Sequence, residues 1–134
     1  MSLISIENKI ENLTIVAGFV ENFGEDNKLD NKIVFDLNLV LDELVTNIIH
    51  YAYDDNDKHL INISLEKKEN EIEIKIIDDG KKFNPLQKEE ADINLSLEER
   101  EIGGLGIHIV RHKTDNISYE RKNNQNILSL FKKL

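Results

Sequence analysis

The chain of 134 residues contains no cysteine and a single proline, Pro85. Without cysteine, disulfides, thiolate catalysis and Cys-zinc sites are excluded together. Long apolar runs are missing as well. None approaches the roughly 20 residues of a membrane span, and Met1 to Asn12 lacks the charged-then-apolar pattern of a signal peptide. A cytoplasmic location away from membranes is therefore expected. Basic residues are the minority, 17 Lys and Arg against 26 Asp and Glu. The net charge of -9 and the isoelectric point near 4.9 argue against direct nucleic-acid binding. They do not argue against a small anionic ligand, because bulk charge is screened beyond a Debye length of roughly 8 Å and local donors decide. No internal repeat and no Pro/Gly/Ser linker interrupts the sequence. Residues 1–134 are expected to form one domain large enough to bury a core.

Hydrophobic spacing supplies the elements. Leu3 to Ile6 reads as a short edge strand. Ile10, Leu13, Val16, Ala17, Val20 and Phe23 keep helical spacing and predict a helix from about Asn8 to Phe23, stopped at Gly24. A longer helix is expected from Asn31 to Tyr53, with Val34, Leu37, Leu41, Leu44, Val45, Ile48 and Ala52 as its buried stripe. Asp36, Glu43, Asn47 and His50 share the neighbouring face, at spacings of seven, four and three. Alternating Ile61, Ile63, Leu65 and then Ile72, Ile74, Ile76 predict a hairpin of Leu60 to Lys67 with Glu71 to Ile77, one face wet. From Asp78 to about Ile102 periodicity is lost; a stretch this long reads as a lid or binding loop, with a short helix near Leu95 to Arg100. A helix from Gly104 to Thr114 and strands Asn116 to Arg121 and Ile127 to Phe131 close the chain. Helices on one face of a mixed, mainly antiparallel sheet, an α+β two-layer sandwich, are the expected architecture.

Three constellations carry chemistry. Glu43 and Asn47 lie one helical turn apart. Magnesium takes hard oxygen ligands and keeps several waters, so the Asn47 carbonyl suits it without repelling phosphate, and Glu43 can accept a proton from an attacking hydroxyl. Taken alone, the pair also fits a solvated helix face. Asp78-Asp79-Gly80 follows three strand isoleucines, placing a carboxylate beside the core where it can accept from the exocyclic amine of adenine; Gly80 permits a tight turn and close approach of a ring. An Asp-Gly turn after a strand is the plainer reading. Gly103-Gly104-Leu105-Gly106 opens a helix, and freed backbone N–H groups at a helix N-terminus form an anion site. A glycine hinge would look the same. His59, His108 and His112 show no metal-ligand spacing and read as surface or packing residues.

Taken together and in this order, the three motifs resemble those of GHKL (Bergerat-type) ATPases. The resemblance is to the anti-sigma factor serine kinases of the RsbW and SpoIIAB kind. Glu43-Leu44-Val45-Thr46-Asn47 with His50-Tyr51-Ala52-Tyr53 matches the first box of that family. Asp78 through Pro85 matches the second, and Gly103 through Val110 the third. The likeness covers nearly the whole chain. It implies a Bergerat fold, often homodimeric, with ATP and Mg2+ as cofactors. It also implies that Glu43 is the catalytic base, that Asn47 is the magnesium ligand with His50 orienting the site, and that Asp78, Gly80 and Phe83 lie at the adenine. Gly103, Gly104, Leu105 and Gly106 would lie along the phosphates. Its partners would be a sigma factor or an anti-sigma antagonist protein of the STAS type. Two positions depart from the pattern: Lys82 stands where a further glycine is frequent, and Ile102 where some kinases carry arginine, with Arg100 two residues earlier.

A protein serine kinase is the leading expectation. An ATP-dependent partner-binding module without phosphotransfer is the alternative. An isolated ATP-binding half of a histidine kinase is a weaker third, since no helical hairpin with a phosphoacceptor histidine precedes the domain.

Overall fold

The computed structural model describes residues 1–84 and 104–134. Strand β1 (Ser2–Glu7) and a 3-10 turn at Ile10–Asn12 lead into helices α1 (Leu13–Asp26) and α2 (Asn31–Tyr51). Strands β2 (Leu60–Lys67) and β3 (Glu71–Asp78) follow, then helix α3 (Gly104–Lys113) and strands β4 (Asn116–Lys122) and β5 (Gln125–Lys133). Pro85, Arg100, Ile102, Gly103 and the short helix expected at Leu95 to Arg100 lie outside the described residues. Among the described residues, no helix is long and apolar enough to cross a membrane.

The five strands order β1-β2-β3-β5-β4, and every neighbouring pair runs antiparallel. Alternation puts Ile61, Ile63 and Leu65 of β2, Ile72, Ile74 and Ile76 of β3 and Leu128 and Leu130 of β5 on one face, all buried. Those side chains join Val16, Val20 and Phe23 of α1, Leu37, Val40, Leu41, Leu44 and Val45 of α2, and Ile107 and Val110 of α3 in one core. Burial of a side chain of this size stabilises the fold by about 1.5–3 kcal/mol. Two layers result, helices over a sheet, an α+β architecture of the expected kind.

Local chemistry sets the ends. Asp30 caps α2, its Oδ1 accepting from the Ile33 N–H at 3.0 Å. The β4–β5 turn is made by Asn123 and Asn124, with φ of 54° and 60°, the left-handed pair a two-residue hairpin turn requires. Three expected boundaries move. The first helix begins at Leu13, because Asn8 instead pairs with His59, donating N–H to its carbonyl at 3.1 Å and accepting its N–H at 3.0 Å. It also runs through Gly24, so Gly24 is not its stop. A Cβ there would come within 2.5 Å of Val34 Cγ2, and the glycine serves the close approach of α1 to α2. The turn that ends α1 is made by Asn27, whose N–H and side-chain amide both reach the Phe23 carbonyl, and by left-handed Lys28, φ 54°. Lastly, α2 ends at Tyr51, and Tyr53 stacks on His59 with ring centroids 4.1 Å apart.

Candidate functional site

Asp78 is the last residue of β3 and is 5% exposed. A carboxylate brought this deep needs partners, and it has them on one oxygen. Its Oδ1 accepts the Gly80 N–H at 2.9 Å and the Asn126 Nδ2–H at 3.0 Å; Oδ2 takes none among the described residues. Burial pushes the Asp78 carboxyl above the usual aspartate value, opposed by the Asn126 and Gly80 hydrogen bonds. Gly80 is fixed from behind. A Cβ on it would lie 2.5 Å from Ala52 Cβ and 2.6 Å from the Ala52 carbonyl oxygen, and the Lys81 N–H donates to that oxygen at 2.8 Å. The close approach Gly80 permits is therefore to the end of α2.

Asp78 and Asn47 line one cavity, together with Leu44, Ile48, Ile76, Phe83, Tyr119, Asn126 and Leu128. The walls are apolar apart from a few polar groups, the usual make-up of a small-molecule site. Its volume is about 30 Å³, enough for about one water. A roomier groove of about 250 Å³ lies between α1 and α2, lined by Leu13, Val16, Ala17, Phe35, Asn38, Leu39 and Asp42. It has no convergent polar set.

The remaining expected residues fall around the first cavity unevenly. Glu43, one turn before Asn47 on α2, is half-buried and is not among the residues that line the cavity. Burial and then the Asp42 charge raise its carboxyl above the usual glutamate value. His50 is exposed near the end of α2, beside Tyr51 at 6.1 Å between ring centroids. Gly104, Leu105 and Gly106 form the first turn of α3, which packs against α2. Asp36 belongs elsewhere: it is 4% exposed and paired with Lys113 at 3.4 Å and Lys132 at 3.3 Å. Burial alone would raise its carboxyl; the two ammonium groups outweigh that and hold it below the usual value.

The match that decides the family spans nearly everything described: residues 6–132 fit the histidine kinase-like ATPase domain. The chain belongs to that family. It is similar to the serine/threonine-protein kinase BtrW of Bordetella bronchiseptica, 27% identical over 112 residues, which are 84% of this chain and 79% of that one. It is also similar to the serine-protein kinase RsbW of Oceanobacillus iheyensis, 31% identical over 91 residues. That alignment takes in 61% of this chain and 54% of the relative, about half its length.

Within this ATPase domain, sequence reading missed the residues that hold the Asp78 turn in place. Asn126 on β5 donates to Asp78 and, at 2.9 Å, to the Lys81 carbonyl. Its own Oδ1 accepts the Phe83 N–H at 3.3 Å and the Tyr119 hydroxyl. Arg121 donates to the Gly80 carbonyl at 2.7 Å. The signal lay in strand register, which pairs Asp78 with Asn126 and Asn126 with Arg121. His59, expected as a surface or packing residue, bridges Asp55 at 2.7 Å and Asp79 at 3.2 Å.

Proposed function

We propose that this chain is an ATP-dependent protein serine kinase and anti-sigma regulator. It transfers phosphate to a serine on an antagonist protein of the STAS type and captures a sigma factor. Residues 1–134 act as one cytoplasmic nucleotide-binding domain that pairs as a homodimer. The observation that carries the reading is Asp78: a buried carboxylate with one oxygen saturated and the other left for a ligand, sharing a cavity with Asn47. That oxygen suits the exocyclic amine of adenine, with Phe83 beside the ring and Gly80 holding the turn through its N–H to Asp78. Asn47 supplies the one protein oxygen magnesium needs when phosphates and water complete its shell. Among the described residues no cluster of three His, Asp or Glu competes for a metal. Bound there, Mg2+ would neutralise charge on the phosphates.

Helix lengths support the placement of the glycines. At 1.5 Å per residue α3 is about 15 Å long and the span from Asp36 to Asn47 about 16 Å. With Lys113 held at Asp36, an α3 lying back along α2 brings Gly104 and Gly106 level with Asn47, N–H groups towards the phosphates. Leu105 belongs to the same turn, and His50 orients the Asn47 face.

Glu43 accepts the proton of the attacking serine hydroxyl as its oxygen bonds to phosphorus; the leaving ADP oxygen departs on the opposite side. A raised carboxyl makes a better base, provided the pH keeps it ionised. That Glu43 does not line the cavity favours a second reading, an ATP-dependent partner-binding module without phosphotransfer. Labelled ATP with a STAS-type antagonist separates the two. Label should appear on a serine with the wild type and be lost with Glu43→Gln, while ATP binding persists. Binding without label on any cognate partner would select the module, and an unchanged rate in Glu43→Gln would remove Glu43 as the base.

A further inference from the structure

The Asn126 amide uses all of its hydrogen-bonding capacity: two N–H donors to Asp78 Oδ1 and the Lys81 carbonyl, two acceptor sites for Tyr119 and the Phe83 N–H. Both donors meet acceptors and both acceptor sites meet donors, so a flipped amide would be refused on all four sides. It is 5% exposed and sits directly across from Asp78 in the β3–β5 register. The neighbouring main chain tightens the same point. Gly80 donates to the oxygen Asn126 already holds, and Arg121 holds the Gly80 carbonyl.

We propose that Asn126 is the positioning residue that sets purine choice. By tying down Asp78 Oδ1 and the Lys81 carbonyl, it leaves Asp78 Oδ2 as the one acceptor offered to the base. A purine presenting an amino group is then taken, and one presenting a carbonyl meets an oxygen lone pair and is refused. Rejection by an unmatched buried polar group is stronger than rejection by shape. The inference rests on the adenine reading of Asp78 and adds to it the residue on which selectivity depends.

Asn126→Asp tests it with little change in size. The variant keeps the acceptor sites for Tyr119 and Phe83, removes both N–H donors so that the Lys81 carbonyl loses its partner, and sets a second carboxyl beside Asp78, where the two share one proton in place of the N–H bond. Titration of the full chain with Mg-ATP and with Mg-GTP is the readout. The wild type should prefer ATP. In Asn126→Asp, ATP affinity should fall by about tenfold or more, the loss of a hydrogen bond to a charged group, and the preference over GTP should narrow by a similar factor. In turnover the loss should appear in KM for ATP. Tyr119→Phe, which touches only the acceptor side of the amide, should weaken both nucleotides equally. If Asn126→Asp does not fold, Asn126→Ser, too short to reach Asp78, gives the same comparison. An Asn126→Asp or Asn126→Ser protein that binds both nucleotides more weakly by one common factor, preference intact, would reduce Asn126 to a structural tie and overturn the inference. Absence of any ATP preference in the wild type is a different result, and it would remove the adenine reading itself.

Discussion

His59 shows how a single side chain links the site to pH. Its ring is stacked on Tyr53 and hydrogen-bonded to Asp55 on one nitrogen and Asp79 on the other, so the doubly protonated ring fits best. The Asp55 hydrogen bond, with help from Asp79 and against some desolvation, raises its pKa above the ordinary histidine value. A raised folded value means the stabilisation is fully present below the unfolded pKa of about 6.5 and fades as pH rises through the folded one. Melting temperatures measured between pH 6 and 8.5 should therefore decline more steeply for the wild type than for His59→Gln. Equal slopes would show that the pair of aspartates does not bind the proton. Asp78 shifts stability with pH in the same direction, over a lower pH range. Burial raises it, so its ionisation works against folding above the ordinary aspartate pKa.

At the scale of elements, the Asp78 turn is held between two neighbours that are far apart in sequence. Ala52, just past α2, touches Gly80 from behind, while β5 supplies Asn126 and β4 supplies Arg121 in front. Gly80→Ala places a Cβ 2.5–2.6 Å from Ala52 atoms, one of them the backbone carbonyl oxygen, and backbone yields little. The turn must move instead. The expected cost is about 1–3 kcal/mol by denaturant unfolding, together with weaker nucleotide binding because the Gly80 N–H leaves Asp78. Wild-type stability in this variant would mean the turn has slack that the packing does not show. Gly24 obeys the same physics at the α1–α2 contact. A glycine that permits close packing and one that stops a helix look identical in sequence, which is why the expected stop at Gly24 was misplaced.

For the whole molecule, what the sequence made legible follows from periodicity. Alternating isoleucines leave a trace of burial on one face, so β2 and β3 could be read almost to the residue. The face of α2 that carries Asn47 could be read in the same way. Asp36 could not. A charged residue at helical spacing reads as solvated unless its lysine partners, distant in sequence, are known to fold over it. Asn126, Tyr119 and Arg121 were hidden for a related reason, because strand register is a tertiary fact. The net charge of -9 gives no general attraction for a triphosphate, so affinity has to come from local groups. The central claim is that Asp78 and Asn47 share a nucleotide. Calorimetric titration with ATP, with and without magnesium, on the wild type and Asp78→Asn tests it most directly. The account predicts binding heat that depends on magnesium, and a loss of about 1.5–3 kcal/mol in Asp78→Asn. No heat with Mg-ATP, or equal affinity in the two proteins, would contradict it.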